Sequence, residues 1–295
     1  MAVELPSIYP HKIKPISFKL STYCKFIPLT NNIECYLSIF NSNFFTPMRF
    51  FFEITYNGIE YHGWQNQPNA ISVQQVVEDS LTKVFGKKTT IVGSGRTDTG
   101  VHCVQQFFHA DVDKDFDEAV WLIKLNSILP RFIAIRAIFP VKPDANARYD
   151  ALERAYEYKI TTAKDPILVG RAYYFYRELD IRTMNRAATL LCGEHDFQCF
   201  SKVHTDVNHF ICDIKRAHWN QKGDLLVFTI AANRFLRGMV RAIVGTLLDV
   251  GTGKISMQEF QEILKSRDRK KAGINVPPEA LYLMSVKYPK SIFLK

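Results

Sequence analysis

A ten-residue segment combines the side chains that acid–base or nucleophilic chemistry on a polyanion would need. The segment Gly95–Val104 reads Gly-Arg-Thr-Asp-Thr-Gly-Val-His-Cys-Val, so the carboxylate of Asp98 follows the cation of Arg96 by two positions. Glycines stand on both sides of Asp98, and glycine allows backbone conformations that let a substrate approach closely. Asp and Gly are also common in turns, and most such turns have no chemical role.

A second cation for this carboxylate is predicted far downstream. Arg234, Arg237 and Arg241 recur at i, i+3 and i+7, which predicts one face of a helix over about 234–250. Apolar residues continue the segment, so most of this helix is expected to be buried. A buried arginine requires a carboxylate partner, because an unpaired buried charge is costly.

Aromatic and imidazole side chains provide further candidates. Tyr156 and Tyr158 share one face of a predicted strand over 154–162. A ring in that position is more often part of a hydrophobic core than a platform for a flipped nucleobase. His62 and His102 have the chemistry of general bases, although lone loop histidines are more often surface or supporting groups.

Composition limits the class of protein. The chain has 295 residues, a formal net charge of +9 and 47% hydrophobic residues. The basic balance favours a nucleic-acid partner, with a merely basic enzyme as the alternative. No apolar run reaches the roughly 18 residues that a membrane helix needs.

Cysteine usage is typical of a reducing cytoplasm. The six cysteines form no Cys-x-x-Cys pair, which argues against a structural zinc site. His195, His204 and His209 lie near Cys199 and Cys212, but their spacing matches no standard ligand pattern. We therefore expect no metal.

The first 47 residues differ in character from the rest. They contain no Gly, Arg or Asp, and show no sustained hydrophobic period. They also lack the ordered parts of a signal peptide. The hypothesis is that Met48 is the physiological start, with a short lineage-specific extension as the alternative.

The remainder predicts an α+β protein in two related halves, 48–147 and 148–295. Each half should hold an antiparallel mixed sheet with helices packed on it, the two joined around a central cleft. Predicted strands cover 49–56, 104–111, 133–139, 154–162, 211–219, 224–231 and 281–288. Predicted helices cover 72–85, 117–129, 180–192, 234–250 and 256–267. Ser72 and Gln75 are expected to form a capping box at the first helix.

Several short motifs occur in a consistent order from about residue 48 to 289. They are Tyr56-Asn57-Gly58, Tyr61-His62-Gly63-Trp64-Gln65, Gln67-Pro68, Gly95-Arg96-Thr97-Asp98, Gly100-Val101-His102, Arg154-Ala155-Tyr156-Glu157-Tyr158, Gly193-Glu194-His195-Asp196-Phe197, Phe235-Leu236, Met239-Val240-Arg241, Ile243-Val244-Gly245, Ala272-Gly273, Pro278, Leu281-Tyr282-Leu283 and Tyr288-Pro289. Together they resemble the TruA-type tRNA pseudouridine synthases, and the segment around Asp98 is the most specific. The resemblance implies the pseudouridine synthase fold.

The resemblance also assigns roles to residues. It implies that Asp98 is the catalytic nucleophile and that Arg241 is its salt-bridge partner, which keeps it ionised. Arg96 would push the target base out of its stack, and Tyr156 would pack against the flipped base. Cys103 stands where the family commonly has Ala, and a small thiol there should be tolerated.

The same resemblance implies a substrate and partners. The family isomerises uridines at positions 38, 39 and 40 of the tRNA anticodon stem-loop, and it is homodimeric, with one tRNA spanning both subunits. Arg234 and Arg237 are possible RNA contacts. No cofactor is expected, because the reaction breaks an N-glycosidic bond and re-forms it to carbon 5 of the same base. One carboxylate suffices, as nucleophile on the base or the sugar or as a base at the 2′ position.

Two other functions remain open. The first is a pseudouridine synthase that acts at a single tRNA site or on another RNA. The second is a non-catalytic tRNA-binding chaperone of the same fold, although Asp98, Arg241 and Tyr156 are all present.

Overall fold

Ten strands form one continuous mixed sheet. The computed structural model describes residues 48–112, 117–202 and 209–294, so the predicted extension 1–47 lies outside the described residues. The strands are β1 Met48–Tyr56, β2 Val92–Gly93, β3 His102–Val112, β4 Ile133–Pro140, β5 Glu153–Thr161, β6 Tyr173–Tyr174, β7 Gly193–Asp196, β8 Ile211–Lys222, β9 Leu225–Ala232 and β10 Leu281–Lys287.

The strand order explains how the two predicted sheets become one. The order is β4-β1-β3-β10-β5-β9-β8-β7, with β2 added to β3 and β6 added to β5. Strand β10 runs parallel to β3 and antiparallel to β5, so it joins the strands of the first half to those of the second. The α+β class is confirmed.

The register of β10 sets the position of the aromatic candidate. Leu283 of β10 pairs with Cys103 of β3 on one side and with Tyr156 of β5 on the other. Tyr156 is therefore two strands away from the start of β3, and the segment carrying Asp98 leads directly into that start. Strand pairing brings residues 98 and 156 to the same part of the sheet.

The described residues contain five α-helices. They are α1 Val73–Phe85, α2 Glu118–Ile128, α3 Ile181–Thr189, α4 Met239–Gly251 and α5 Met257–Ser266. Ser72 caps α1 by accepting from the Gln75 N–H at 3.1 Å, and Ser256 and Glu259 form a full capping box at α5. No helix of the described residues has the length and apolarity to cross a membrane.

The predicted helix over 234–250 is wrong at its beginning. Gly238 has φ +72°, a left-handed conformation that a continuing helix does not contain, and α4 begins only at Met239. Arg234 and Arg237 precede the helix, so they do not share a helical face with Arg241 as their spacing predicted. The remainder of α4 is buried as expected.

Two hydrophobic clusters lie in the described residues. One is built mainly from α1, β1, β3 and β4, and the other mainly from α3, α4, β8 and β9. Strand β10 contributes Leu281 to the second cluster and Leu283 to the first, and Tyr156 packs against both. The division of the chain at residues 147 and 148 stays a prediction.

Candidate active site

The turn that carries Asp98 is held on a neighbouring loop by backbone hydrogen bonds. The Trp64 N–H donates to the Thr97 carbonyl at 3.1 Å, and the Gly100 N–H donates to the Tyr61 carbonyl at 3.3 Å. The Val101 N–H closes the turn itself by donating to the Asp98 carbonyl at 3.2 Å. Asp98 is thus fixed from both sides while its side chain remains 29% exposed.

Two glycines make this arrangement possible. Gly100 has φ +80° at the third position of the turn, which is the type II pattern. Gly63 has φ +84°, and a Cβ there would lie 2.5 Å from the Thr97 carbonyl oxygen. Gly95, which was expected to share this role, has no positive φ, and a Cβ there would meet nothing within 4 Å. Only the second of the two flanking glycines is required by the backbone.

Arg241 reaches the turn from the first turn of α4. Its Nη1 lies 3.5 Å from Asp98 Oδ2, and its Nε donates to the Val276 carbonyl at 2.7 Å. Its side chain is 19% exposed. The Nε group of the guanidinium is thus anchored on backbone, while Nη1 lies next to the carboxylate. The burial of Arg241 predicted a carboxylate partner, and the resemblance implied that this partner is Asp98.

Tyr156 lies between the turn and the loop before α4. Its ring makes an edge contact with Phe235, with centroids 5.1 Å apart. Burial raises the pKa of Tyr156 well above its usual range, and the nearby Asp98 carboxylate raises it further. The phenol therefore stays neutral near pH 7, and its chemistry there is that of an aromatic surface.

Arg154 is a supporting residue whose role the sequence did not reveal. Its guanidinium donates to the backbone carbonyls of Ser94 at 2.9 Å, Asn233 at 2.9 Å, Ala151 at 2.7 Å and Arg148 at 2.6 Å. It thereby ties Ser94, which follows β2, to Asn233 in the segment that leads into α4. A mostly buried arginine in a strand with no matching acid is the signal that points to such a role.

The remaining predicted residues lie apart from the ion pair. Arg96 is exposed, and its Nε donates to Gln65 Oε1 at 3.1 Å. Arg234 Nη1 lies 3.1 Å from His209 Nε2, and Arg237 is exposed. Arg234 also lies close enough to Arg154 to lower its pKa, although burial is the larger cause. Two guanidinium groups, those of Arg234 and Arg154, thus lie near one another.

His102 is a structural residue and not a candidate base. Its Nδ1 accepts from the Gly58 N–H at 3.1 Å, and its Nε2 faces the carbonyls of Gly170 at 3.0 Å and Glu279 at 2.9 Å. Burial lowers its pKa, so the ring is neutral with the proton on Nε2. His62 is exposed in the loop that packs on the turn.

The histidines and cysteines around residue 200 show no metal-binding cluster in the part of the chain that the structure describes. Cys199 and Cys212 are buried, and burial raises the pKa of both thiols, to about 12 and about 11. His204 lies outside the described residues.

Comparison with known proteins decides the family. A family model described as tRNA pseudouridine synthase matches residues 54–150 and 187–289, ranges that include Asp98 and Arg241. This chain belongs to the tRNA pseudouridine synthase family. Tyr156 lies between the two matched ranges of the family model.

Individual relatives agree with the family match. The tRNA pseudouridine synthase A of Porphyromonas gingivalis is 49% identical over 251 residues, which cover 83% of this chain and 99% of the relative. Those of Parabacteroides distasonis and Bacteroides fragilis are each 46% identical, covering 83% of this chain and 98% of each relative. The membership in the tRNA pseudouridine synthases that the motifs predicted is confirmed.

Proposed function

We propose that this chain isomerises uridines at positions 38, 39 and 40 of the tRNA anticodon stem-loop to pseudouridine. Asp98 is the catalytic carboxylate, Arg241 holds it, Tyr156 packs against the flipped base and Arg96 displaces that base from its stack. Family membership supports the reaction class. The observation that carries the residue assignment is the 3.5 Å contact between Arg241 Nη1 and Asp98 Oδ2.

The geometry suits a reaction that needs one positioned carboxylate. Backbone hydrogen bonds fix the height of the turn, and the Arg241 guanidinium fixes the direction of the carboxylate from the side. Holding a reacting group in one orientation removes much of the entropic part of a barrier. Because Asp98 remains partly exposed, a base turned out of the RNA can reach it.

The substrate is read through its shape and its phosphates. Reaching three neighbouring uridines requires contacts that do not depend on base identity, and arginine side chains supply such contacts. Arg234 and Arg237 are the proposed phosphate-binding residues on the approach to α4. The net charge of +9 agrees with a polyanionic partner.

The decisive experiment replaces Asp98 with Asn. Forming pseudouridine expels the hydrogen of uracil carbon 5, so tritium release from C5-tritiated tRNA reports turnover. We expect Asp98→Asn to bind tRNA with nearly normal Kd and to release no tritium. Asp117→Asn is the matched control, because Asn caps helix α2 as well as Asp does.

The result distinguishes the alternatives. Turnover by Asp98→Asn near that of the unaltered chain would refute the catalytic assignment. If the unaltered chain binds tRNA without any tritium release, the chaperone function is favoured. Mapping of pseudouridine in total tRNA from a deletion strain identifies the modified positions, and loss at one position only would favour a single-site enzyme.

We further propose a cytoplasmic homodimer, with one tRNA spanning both subunits. The four described cysteines are free, as in a reducing compartment. Ile167, Val169 and Tyr176 lie close in sequence and are each about three-quarters exposed, which leaves their apolar surface available to a partner subunit. Light scattering should give twice the 34.0 kDa of one chain. A monomeric mass would contradict the dimer and leave the catalytic proposal intact.

A further inference from the structure

A chain of side-chain hydrogen bonds runs from Arg96 to helix α1. Arg96 Nε donates to Gln65 Oε1 at 3.1 Å, and Gln65 Nε2 donates to Gln74 Oε1 at 2.7 Å. Gln74 Nε2 then donates to Glu78 Oε1 at 3.0 Å. Four side chains from three separate segments are thus linked in series.

The direction of these hydrogen bonds is set by the two ends. A guanidinium can only donate and an ionised carboxylate can only accept, whereas each glutamine amide has one end of each kind. Arg96 and Glu78 therefore allow a single orientation for both intervening amides. Flipping either amide would place two donors or two acceptors against each other.

The inner part of the chain is well fixed. Gln74 is 8% exposed, and its Oε1 also accepts from the Asn66 N–H at 3.3 Å. Glu78 Oε1 accepts the Ile91 N–H at 3.0 Å, and Glu78 Oε2 accepts from Asn66 Nδ2 at 2.7 Å. A buried amide with all its partners in place is rigid and gives Gln65 a firm support.

Arg96, at the outer end, depends on this support. Within the described residues its guanidinium donates to one acceptor, Gln65 Oε1, and this uses only Nε. Both Nη groups remain available to RNA. An arginine side chain carries much rotamer freedom, and holding it before the base moves lowers the entropic cost of displacing that base.

We propose that Gln65 is a positioning residue that holds the guanidinium of Arg96 in one place, and that Gln74 and Glu78 set the orientation of the Gln65 amide. This inference rests on the proposed function, in which Arg96 displaces the target base. Gln65 acts through Arg96 and does not itself react.

The test is a double-mutant cycle with tritium release as the assay. Gln65→Met keeps the length of the side chain and removes both hydrogen bonds, so we expect kcat to fall about 3- to 10-fold with KM unchanged. Arg96→Met should lower kcat by a larger factor. Because Gln65 acts only through Arg96, the double variant should equal Arg96→Met.

Two further variants serve as a control and as a test of Glu78. Gln75→Met alters an exposed glutamine on the same helix that lies outside the series, and it should leave kcat unchanged. Glu78→Gln removes the obligate acceptor, so the amides are no longer forced into one orientation. We expect about a 2-fold loss of kcat that also disappears in the Arg96→Met background.

The outcomes separate this inference from the proposed function. A normal kcat in Gln65→Met would overturn the role of Gln65 but leave that of Arg96 intact. The same conclusion would follow if Gln65→Met lowered kcat by the same factor in the unaltered chain and in Arg96→Met. Normal kcat in Arg96→Met would overturn both the role of Arg96 in the proposed function and this inference. An unchanged kcat in Glu78→Gln would overturn the role assigned to Glu78.

Discussion

At the scale of single residues, Arg241 is held by two partners of different kinds. One donor of its guanidinium binds the Val276 carbonyl and another faces Asp98. Both contacts use the planar fork of arginine, which a lysine ammonium does not reproduce. Positive charge near Asp98 is therefore only part of what Arg241 supplies.

The two contacts of the Arg241 guanidinium predict the effect of Arg241→Lys. The charge is kept, but one ammonium does not hold both partners at the observed separation, so Asp98 loses its fixed direction. We expect kcat to fall about 10-fold, the size of one lost hydrogen bond to a charged group, with tRNA Kd nearly unchanged. Arg182→Lys, at an exposed position of α3, is the control. Equal activity in both variants would show that charge alone is sufficient.

Single residues also show which contacts of the site could be predicted from the sequence and which could not. The burial of Arg241 predicted a carboxylate partner, whereas its identity as Asp98 came from the family resemblance. The role of Arg154 was not predicted, because its four partners are backbone carbonyls, which no pattern of side chains in the sequence identifies. The series from Arg96 to Glu78 was missed because its link from Arg96 to Gln65 joins residues 31 apart in sequence, which meet only in the fold.

At the scale of elements, the loop Tyr61–Trp64 and the Asp98 turn depend on each other. They share two backbone hydrogen bonds, and Gly63 is the point of closest approach. A Cβ at Gly63 would press on the Thr97 carbonyl, one residue before Asp98. The loop therefore controls the position of the Asp98 turn.

Gly63→Ala should consequently reduce both stability and activity. The positive φ costs an L residue about 1–2 kcal/mol, and the contact with Thr97 displaces the turn. Urea denaturation and kcat measure the two effects. Gly86→Ala is the matched control, because Gly86 has φ +67° with nothing within 4 Å. It should lose similar stability and keep its kcat, and a parallel loss of kcat would contradict this account.

The elements themselves were largely predictable from sequence. Helices α1, α2 and α5 begin within two residues of their expected starts, where Ser72, Asp117 and Ser256 cap them. The start of α4 was misplaced because arginine spacing is only a weak signal, and the left-handed Gly238 places the first helical residue at Met239. The union of the strands into one sheet follows from long-range pairing by β10, which no local pattern predicts.

At the scale of the whole molecule, two buried histidines couple folding to pH. His109 Nδ1 accepts the Ala147 N–H at 3.1 Å, and burial lowers the pKa of His109 to about 4. Arg49 lowers it further, whereas Asp111 and Asp150 act in the opposite direction. Burial lowers the pKa of His102 as well. Both rings are neutral in the folded chain at pH 7.

The free energy of unfolding should therefore fall as the pH drops from about 6.5 to about 4. In this window the unfolded chain binds protons that the folded chain does not, which favours unfolding. His109→Asn keeps an acceptor for the Ala147 N–H but does not titrate, so urea midpoints should vary less with pH. His218→Asn, at an exposed position, is the control. A slope in His109→Asn as steep as that of the unaltered chain would contradict this assignment.

The position of β10 has a consequence for how the protein is made. This strand, latest in sequence of the ten described, completes the sheet between β3 and β5 and aligns Cys103 with Tyr156 across Leu283. During translation the earlier strands leave the ribosome before the strand that pairs with both β3 and β5 and fixes their common register. A product that ends before β10 would therefore carry Asp98 and Arg241 but lack the strand that aligns Cys103 with Tyr156.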